Sequence, residues 1–189
     1  MRTFENRIEY FARYYGDKVE SWDLVNENLE EYADGYINKG GLFCNGPRYH
    51  LMPADYAFKS FQKAQKCFPK NVKLNLNENP AERMKFFDKQ VNELIERGCK
   101  IDIVGWQMHI YKPEICEAIA NGKAPKKKSW AEQYNSLQPE QIWKDFELMS
   151  STNRPIHMSE ITIPSSDKTF KGQMVQAIIT RNLYKIWFS

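Results

Sequence analysis

Four short apolar runs in this sequence end on side chains that can do chemistry: Asn26-Glu27, Asn77-Glu78, Gln107 with His109, and Ser159-Glu160. One polar ending of this kind is unremarkable, but acid or amide groups at all four form a pattern. Carboxyl groups can donate a proton, remove one, or attack an electrophilic carbon, and an amide or imidazole can orient them. A carboxylate on an apolar strand is costly unless something holds it there. Side chains alternate between the faces of a strand, which groups Glu27 with Asp23 and Val25. The same rule groups Gln107 and His109 with Ile103 and Gly105, and Glu160 with Ile156 and Met158. If these faces line one interior, Glu27, His109 and Glu160 converge.

Hydrophobic periodicity supplies the elements that must position them. Phe4, Ile8, Phe11, Ala12 and Tyr15 repeat at helical spacing and stop at Gly16. A strand is predicted at 19–26, a helix at 54–68 closed by Pro69, and an alternating strand at 72–77. Phe87, Val91, Leu94 and Ile95 predict a helix ending at Gly98, and 101–109 reads as a buried strand. A polar stretch from about 112 to 138 reads as a long loop with short helical pieces, and Lys126, Lys127 and Lys128 within it as a solvated turn. Ile142, Trp143, Phe146 and Met149 mark a helix, 155–163 a fourth strand, and Met174 to Ile186 a last helix. A helix followed by four βα units predicts an α/β fold with a parallel sheet and helices outside it. A closed (β/α)8 barrel needs eight strands, so this pattern fits an open α/β sheet or part of a barrel.

Composition narrows the function classes. The 189 residues suffice for a single domain spanning 1–189, and 42% apolar with 14% aromatic content suits a folded chain. A net charge of +3 suggests neither a nucleic-acid surface nor a membrane surface. Cys44, Cys67, Cys99 and Cys116 lie far apart without metal-ligand spacing and read as free thiols. Charged residues within 1–16 are unlike a signal peptide, and no apolar run is long enough to span a bilayer.

The motifs themselves resemble glycoside hydrolase family 10, the endo-β-1,4-xylanases. SWDLVNEN at 21–28 is similar to the family's acid/base signature, with Glu27 on its glutamate. KLNLNEN at 73–79 resembles a strand ending in an Asn-Asp pair, with Asn77 and Glu78 in those places. IDIVGWQMH at 101–109 resembles a segment that carries a glutamine and a histidine, here Gln107 and His109. IHMSEITIP at 156–164 resembles the nucleophile strand, with Glu160 on the catalytic glutamate. Where the family usually has aspartate two residues beyond the nucleophile, this sequence has Thr162. Asn77-Glu78 also begins an NENP run similar to the NEP motif of a related glycosidase family, but the fuller match lies at Glu27.

The resemblance implies a partial (β/α)8 TIM barrel, strands 4 to 7 preceded by a helix, without the family's first three strands or its eighth. It implies Glu27 as acid/base, Glu160 as nucleophile and His109 orienting Glu160. Asn26, Gln107, Asn77 and Glu78 would contact substrate, or the last two would brace the acid/base. The implied partner is xylan or a xylo-oligosaccharide, with no metal, no cofactor and a secreted or cell-surface location. The missing barrel half would then come from a longer chain. Alternatives are a non-catalytic remnant that binds polysaccharide or self-associates, and a barrel glycosidase acting on β-1,4-glucan or mannan.

Overall fold

The structure is a computed structural model that describes residues 2–28, 55–79, 82–123 and 139–189. Its elements run α1 (Arg2–Tyr15), β1 (Ser21–Asn26), α2 (Tyr56–Cys67), β2 (Lys73–Glu78) and a short 3-10 turn (Glu82–Phe86). They continue with α3 (Phe87–Glu96), β3 (Ile103–His109), α4 (Pro113–Ala120), α5 (Pro139–Ser150), β4 (Ile156–Thr162) and α6 (Phe170–Trp187). The four predicted strands and their intervening helices are all present. The sheet order is β1-β2-β3-β4, and β2 pairs in parallel with both β1 and β3. Two compact units divide the chain, residues 1–106 with 146–159 and residues 107–145 with 160–189.

In the first unit, alternation along β2 decides which groups face which way. Leu74 and Leu76 are fully buried, as are Phe61 and Ala64 of α2 and Phe87, Val91 and Leu94 of α3. Burying a side chain of this size stabilises a fold by roughly 1.5–3 kcal/mol, so these residues fix the sheet against its helices. Trp22 lies between Phe11 of α1 and Phe68 beyond α2, with ring centroids at 5.2 and 5.6 Å. Trp106 is fully buried and meets Phe146 of α5 edge to face. Both tryptophans therefore pack under helices. Asp102 sets the start of β3 two residues later than the periodicity predicts: its Oδ2 accepts the Leu74 N–H at 2.8 Å. Gly98, with φ 86°, ends α3 in a left-handed conformation that a side chain would strain.

Gly105 is required for a different reason. A Cβ there would stand 2.5 Å from Asn77 Cβ and 2.9 Å from Ser159 Oγ. Gly105→Ala is expected to lower stability by about 1–3 kcal/mol, read as a lower urea midpoint at unchanged slope.

The second unit holds the ends of β3 and β4. Its buried side chains include Met108, Ile110, Ile115, Cys116, Ile142, Ile179 and Leu183. The stretch predicted as a loop with helical pieces opens with α4, whose first residue is Pro113, a position where proline loses no hydrogen bond. Lys126, Lys127 and Lys128 lie outside the described residues, as does Cys44. Thr169 caps α6 by accepting the Gly172 N–H at 3.2 Å. Asp167 accepts from both the Thr169 hydroxyl and the Thr169 N–H, and these bonds hold its carboxyl below the usual carboxylate range. Cys67, Cys99 and Cys116 are free thiols, and burial pushes Cys99 and Cys116 up to about 11. No helix among the described residues is long and apolar enough to cross a membrane.

Candidate active site

The first cluster grows from the pairing of β1 with β2. Asp23 lies opposite Asn75, Val25 opposite Leu76 and Asn26 opposite Asn77, with a register shift between Asp23 and Val25. Leu24 is the extra residue, and both Leu24 and Val25 are buried. This bulge corrects the face assignment made from simple alternation. Asp23 and Val25 do not share a face, because their partners Asn75 and Leu76 are consecutive on β2. Instead Asp23, Asn75, Asn26 and Asn77 form one polar strip, tied by a hydrogen bond from Asn75 Nδ2 to Asp23 Oδ1. Bulges recur beside functional sites because they re-aim a side chain in this way.

Glu27 follows the bulged strand. Its N–H still reaches Asn77 O at 3.0 Å, but its φ of 51° is left-handed, a conformation costing roughly 1–2 kcal/mol for a residue with a Cβ. The carboxylate is exposed, as is Asn26. Asn28 behind it is fully buried, and its carbonyl takes a hydrogen bond from Gln90 Nε2 on α3 at 3.3 Å. The turn that presents Glu27 is thus anchored on both sides. Glu78 differs from its neighbour: it shares the face of Leu74 and Leu76, is 6% exposed, and accepts the Asn79 N–H at 3.0 Å. Asn77 is buried on the opposite face of β2, beside Gly105.

The second cluster lies across the ends of β3 and β4. Glu160 Oε1 accepts from Gln107 Nε2 at 3.0 Å, and its Oε2 lies 3.4 Å from His109 Nε2. His109 Nδ1 meets Thr162 Oγ1 at 2.8 Å. The Ile110 N–H to Thr162 O bond of 2.8 Å fixes the register that brings these groups level. A neutral imidazole that donates through Nε2 to Glu160 must accept at Nδ1, and the Thr162 hydroxyl can supply that proton. The His109 side chain is 13% exposed and that of Glu160 is 42% exposed. A carboxylate with one oxygen on an amide and the other facing an imidazole is held in a fixed direction while staying open to a ligand. That arrangement suits a nucleophile.

Sequence reasoning missed three participants. The Asp23–Asn75 pair is one, although the alternation in KLNLN puts Asn75 on the face of Asn77. The bulge is another, with no sequence signal. Tyr111 is the third; its ring stacks on His109 with centroids 5.2 Å apart and planes 15° from parallel.

Comparison with known proteins gives a consistent result. The sequence profile described as "Glycosyl hydrolase family 10" matches residues 1–176. A "Thermostable celloxylanase" from Thermoclostridium stercorarium is 31% identical over 129 residues, covering 65% of this chain and 32% of that protein. "Endo-1,4-beta-xylanase A" from Halalkalibacterium halodurans is 32% identical over 114 residues, covering 58% and 26%. Among solved structures, xylanase B from Clostridium stercorarium superposes with TM-score 0.64 at 22% identity, covering 96% of this chain and 49% of that one. An intracellular xylanase from Thermoanaerobacterium saccharolyticum, a mutant in complex with xylotetraose, gives TM-score 0.61 at 19% identity, covering 98% and 49%. The chain thus spans about half the length of these solved structures and a smaller share of the two sequence relatives.

Proposed function

The chain belongs to glycosyl hydrolase family 10, as part of a (β/α)8 barrel, and from that premise we propose that its two clusters are the working carboxylates of a retaining endo-β-1,4-xylanase. The observation that carries this reading is the linked set Gln107, Glu160, His109 and Thr162, which orients one carboxylate by hydrogen bonds without burying it. In the proposed reaction Glu160 attacks the anomeric carbon of a xylose unit. Glu27 gives a proton to the departing glycosidic oxygen, and a glycosyl-enzyme ester forms. Glu27 then takes a proton from water, which cleaves the ester with overall retention. Such chemistry needs the two carboxyl groups about 5–5.5 Å apart across the scissile bond.

His109 and Gln107 keep Glu160 aligned, and Thr162 fixes the imidazole. Asn26, exposed on the polar strip, is suited to a hydroxyl group of the sugar, and Asn77, buried opposite it, to holding that strip in place. Glu78, buried on the other face, is assigned a bracing role. No step calls for a metal or an organic cofactor. The proposed partner is xylan or a xylo-oligosaccharide, and the proposed location is secreted or at the cell surface.

The polypeptide 1–189 by itself is proposed to hydrolyse xylan weakly or not at all. β1 and β4 lie at the two ends of the strand order, and Phe170, Met174, Ile178, Tyr184 and Phe188 stand exposed in and just beyond α6. Both features suit a surface completed by further strands and helices, from the same polypeptide or by self-association. Reducing-sugar release from soluble xylan by the purified monomer is expected to stay near background. Strong hydrolysis that disappears on Glu160→Gln would overturn this. β-1,4-glucan is retained as a second substrate reading because one relative is named a celloxylanase. Parallel assays on aryl β-xylobioside and aryl β-cellobioside with a completed barrel separate the two readings.

A further inference from the structure

Tyr111 has no part in the chemistry above. It follows Ile110, whose side chain is fully buried and whose N–H is bonded to Thr162 O. This anchor holds the tyrosine close beyond the end of β3. One face of its ring lies on the His109 imidazole, the same imidazole whose Nε2 is 3.4 Å from Glu160. Tyr111 is nevertheless 62% exposed, and its hydroxyl makes no hydrogen bond among the described residues. The exposed tyrosines of α1 differ, because Tyr10, Tyr14 and Tyr15 lean on neighbouring rings of their own helix. An aromatic ring held flat from behind, open in front and one residue pair from a candidate nucleophile has the form of a platform.

We propose that Tyr111 is a carbohydrate-stacking residue: the open face of its ring receives the apolar face of a pyranose in a β-1,4-linked oligosaccharide whose neighbouring sugar lies at Glu160. The inference rests on the glycosidase reading and adds a subsite to it. The C–H groups on one side of a pyranose carry partial positive charge and meet the negative face of the tyrosine π-system. Tyrosine also loses little conformational freedom on binding, having only two side-chain torsions. His109 stiffens the platform without competing for its outer face.

The test is a titration of the 189-residue chain with xylotetraose, followed by NMR, for the wild type and for Tyr111→Phe and Tyr111→Leu. A stack needs a ring, whereas a mere prop for His109 needs only bulk. The expected result is near wild-type affinity for Tyr111→Phe and on the order of tenfold weaker binding for Tyr111→Leu. The His109 imidazole nitrogen signals of the ligand-free Tyr111→Leu protein should stay where they are in the wild type. Equal affinity in the leucine variant would overturn the proposal. So would weaker binding accompanied by displaced His109 signals, since Tyr111 would then act by bracing the imidazole. Absence of xylotetraose binding by the wild type would overturn the subsite in this chain, whereas the xylan reading itself fails only if the completed barrel does not cleave the aryl β-xylobioside.

Discussion

Glu160→Gln, introduced into a complete barrel that contains residues 1–189, is expected to lower kcat/KM on xylan by about 10⁴-fold or more, as removal of a covalent nucleophile does elsewhere. The substitution should leave the fold intact. A glutamine carbonyl oxygen can still accept from Gln107 Nε2, the donor now 3.0 Å from Glu160 Oε1. Its NH2 group would face His109 Nε2, which could then accept if the imidazole carried its proton on Nδ1. Thr162 permits that change, because a hydroxyl 2.8 Å from Nδ1 can accept as readily as donate. Lost activity with an unchanged urea midpoint is therefore the expected pair of results. Addition of azide to Glu160→Ala with an aryl β-xylobioside carrying a good leaving group sharpens the assignment. Azide would attack once, from the side vacated by the carboxylate, and give the α-glycosyl azide. A β product, or activity within tenfold of wild type, would remove Glu160 from the nucleophile role.

The sequence carried the scaffold because its strands are short apolar runs and its helices repeat at 3.6 residues. Those are local signals, and α1, β2 and α3 fall within two residues of where periodicity places them. It also carried the grouping of Glu160 with Gln107 and His109, which stand two residues apart on one strand. Relations that depend on register were not legible. The bulge at Leu24 adds one residue without disturbing the apolar pair Leu24-Val25, so nothing in the composition of SWDLVN shows that Asp23 and Asn26 share a face. The meeting of His109 with Thr162 depends on the bond from Ile110 N–H to Thr162 O, between residues more than fifty apart in the chain. Gly105 was legible as a small residue, but not as the only fit between Asn77 and Ser159. Tyr111 gives no sign in the sequence of being exposed rather than buried.

Glu27 should behave differently from Glu160, and the difference identifies its role. In the same complete barrel, Glu27→Ala is expected to cost about 10²–10⁴-fold on xylan, equivalent to roughly 2.7–5.4 kcal/mol, because the departing sugar oxygen needs a proton. On an aryl xylobioside whose leaving group departs without protonation, formation of the glycosyl-enzyme should proceed almost unimpaired. The ester would then accumulate for want of a base to activate water, so KM should fall along with kcat and a burst of phenol should precede slow turnover. Azide would enter at this second step and give the β-glycosyl azide, the anomer opposite to that expected from Glu160→Ala. Backbone geometry adds an independent readout. Glu27 has φ 51°, so Glu27→Gly should raise stability by about 1 kcal/mol while abolishing proton transfer, and Glu27→Ala should keep most of the strain. A glycine variant that is stabilised and inactive would mean that the carboxylate occupies a position the fold alone disfavours, as expected of a residue retained for its chemistry. Equal losses on substrates with good and poor leaving groups would exclude Glu27 as the proton donor.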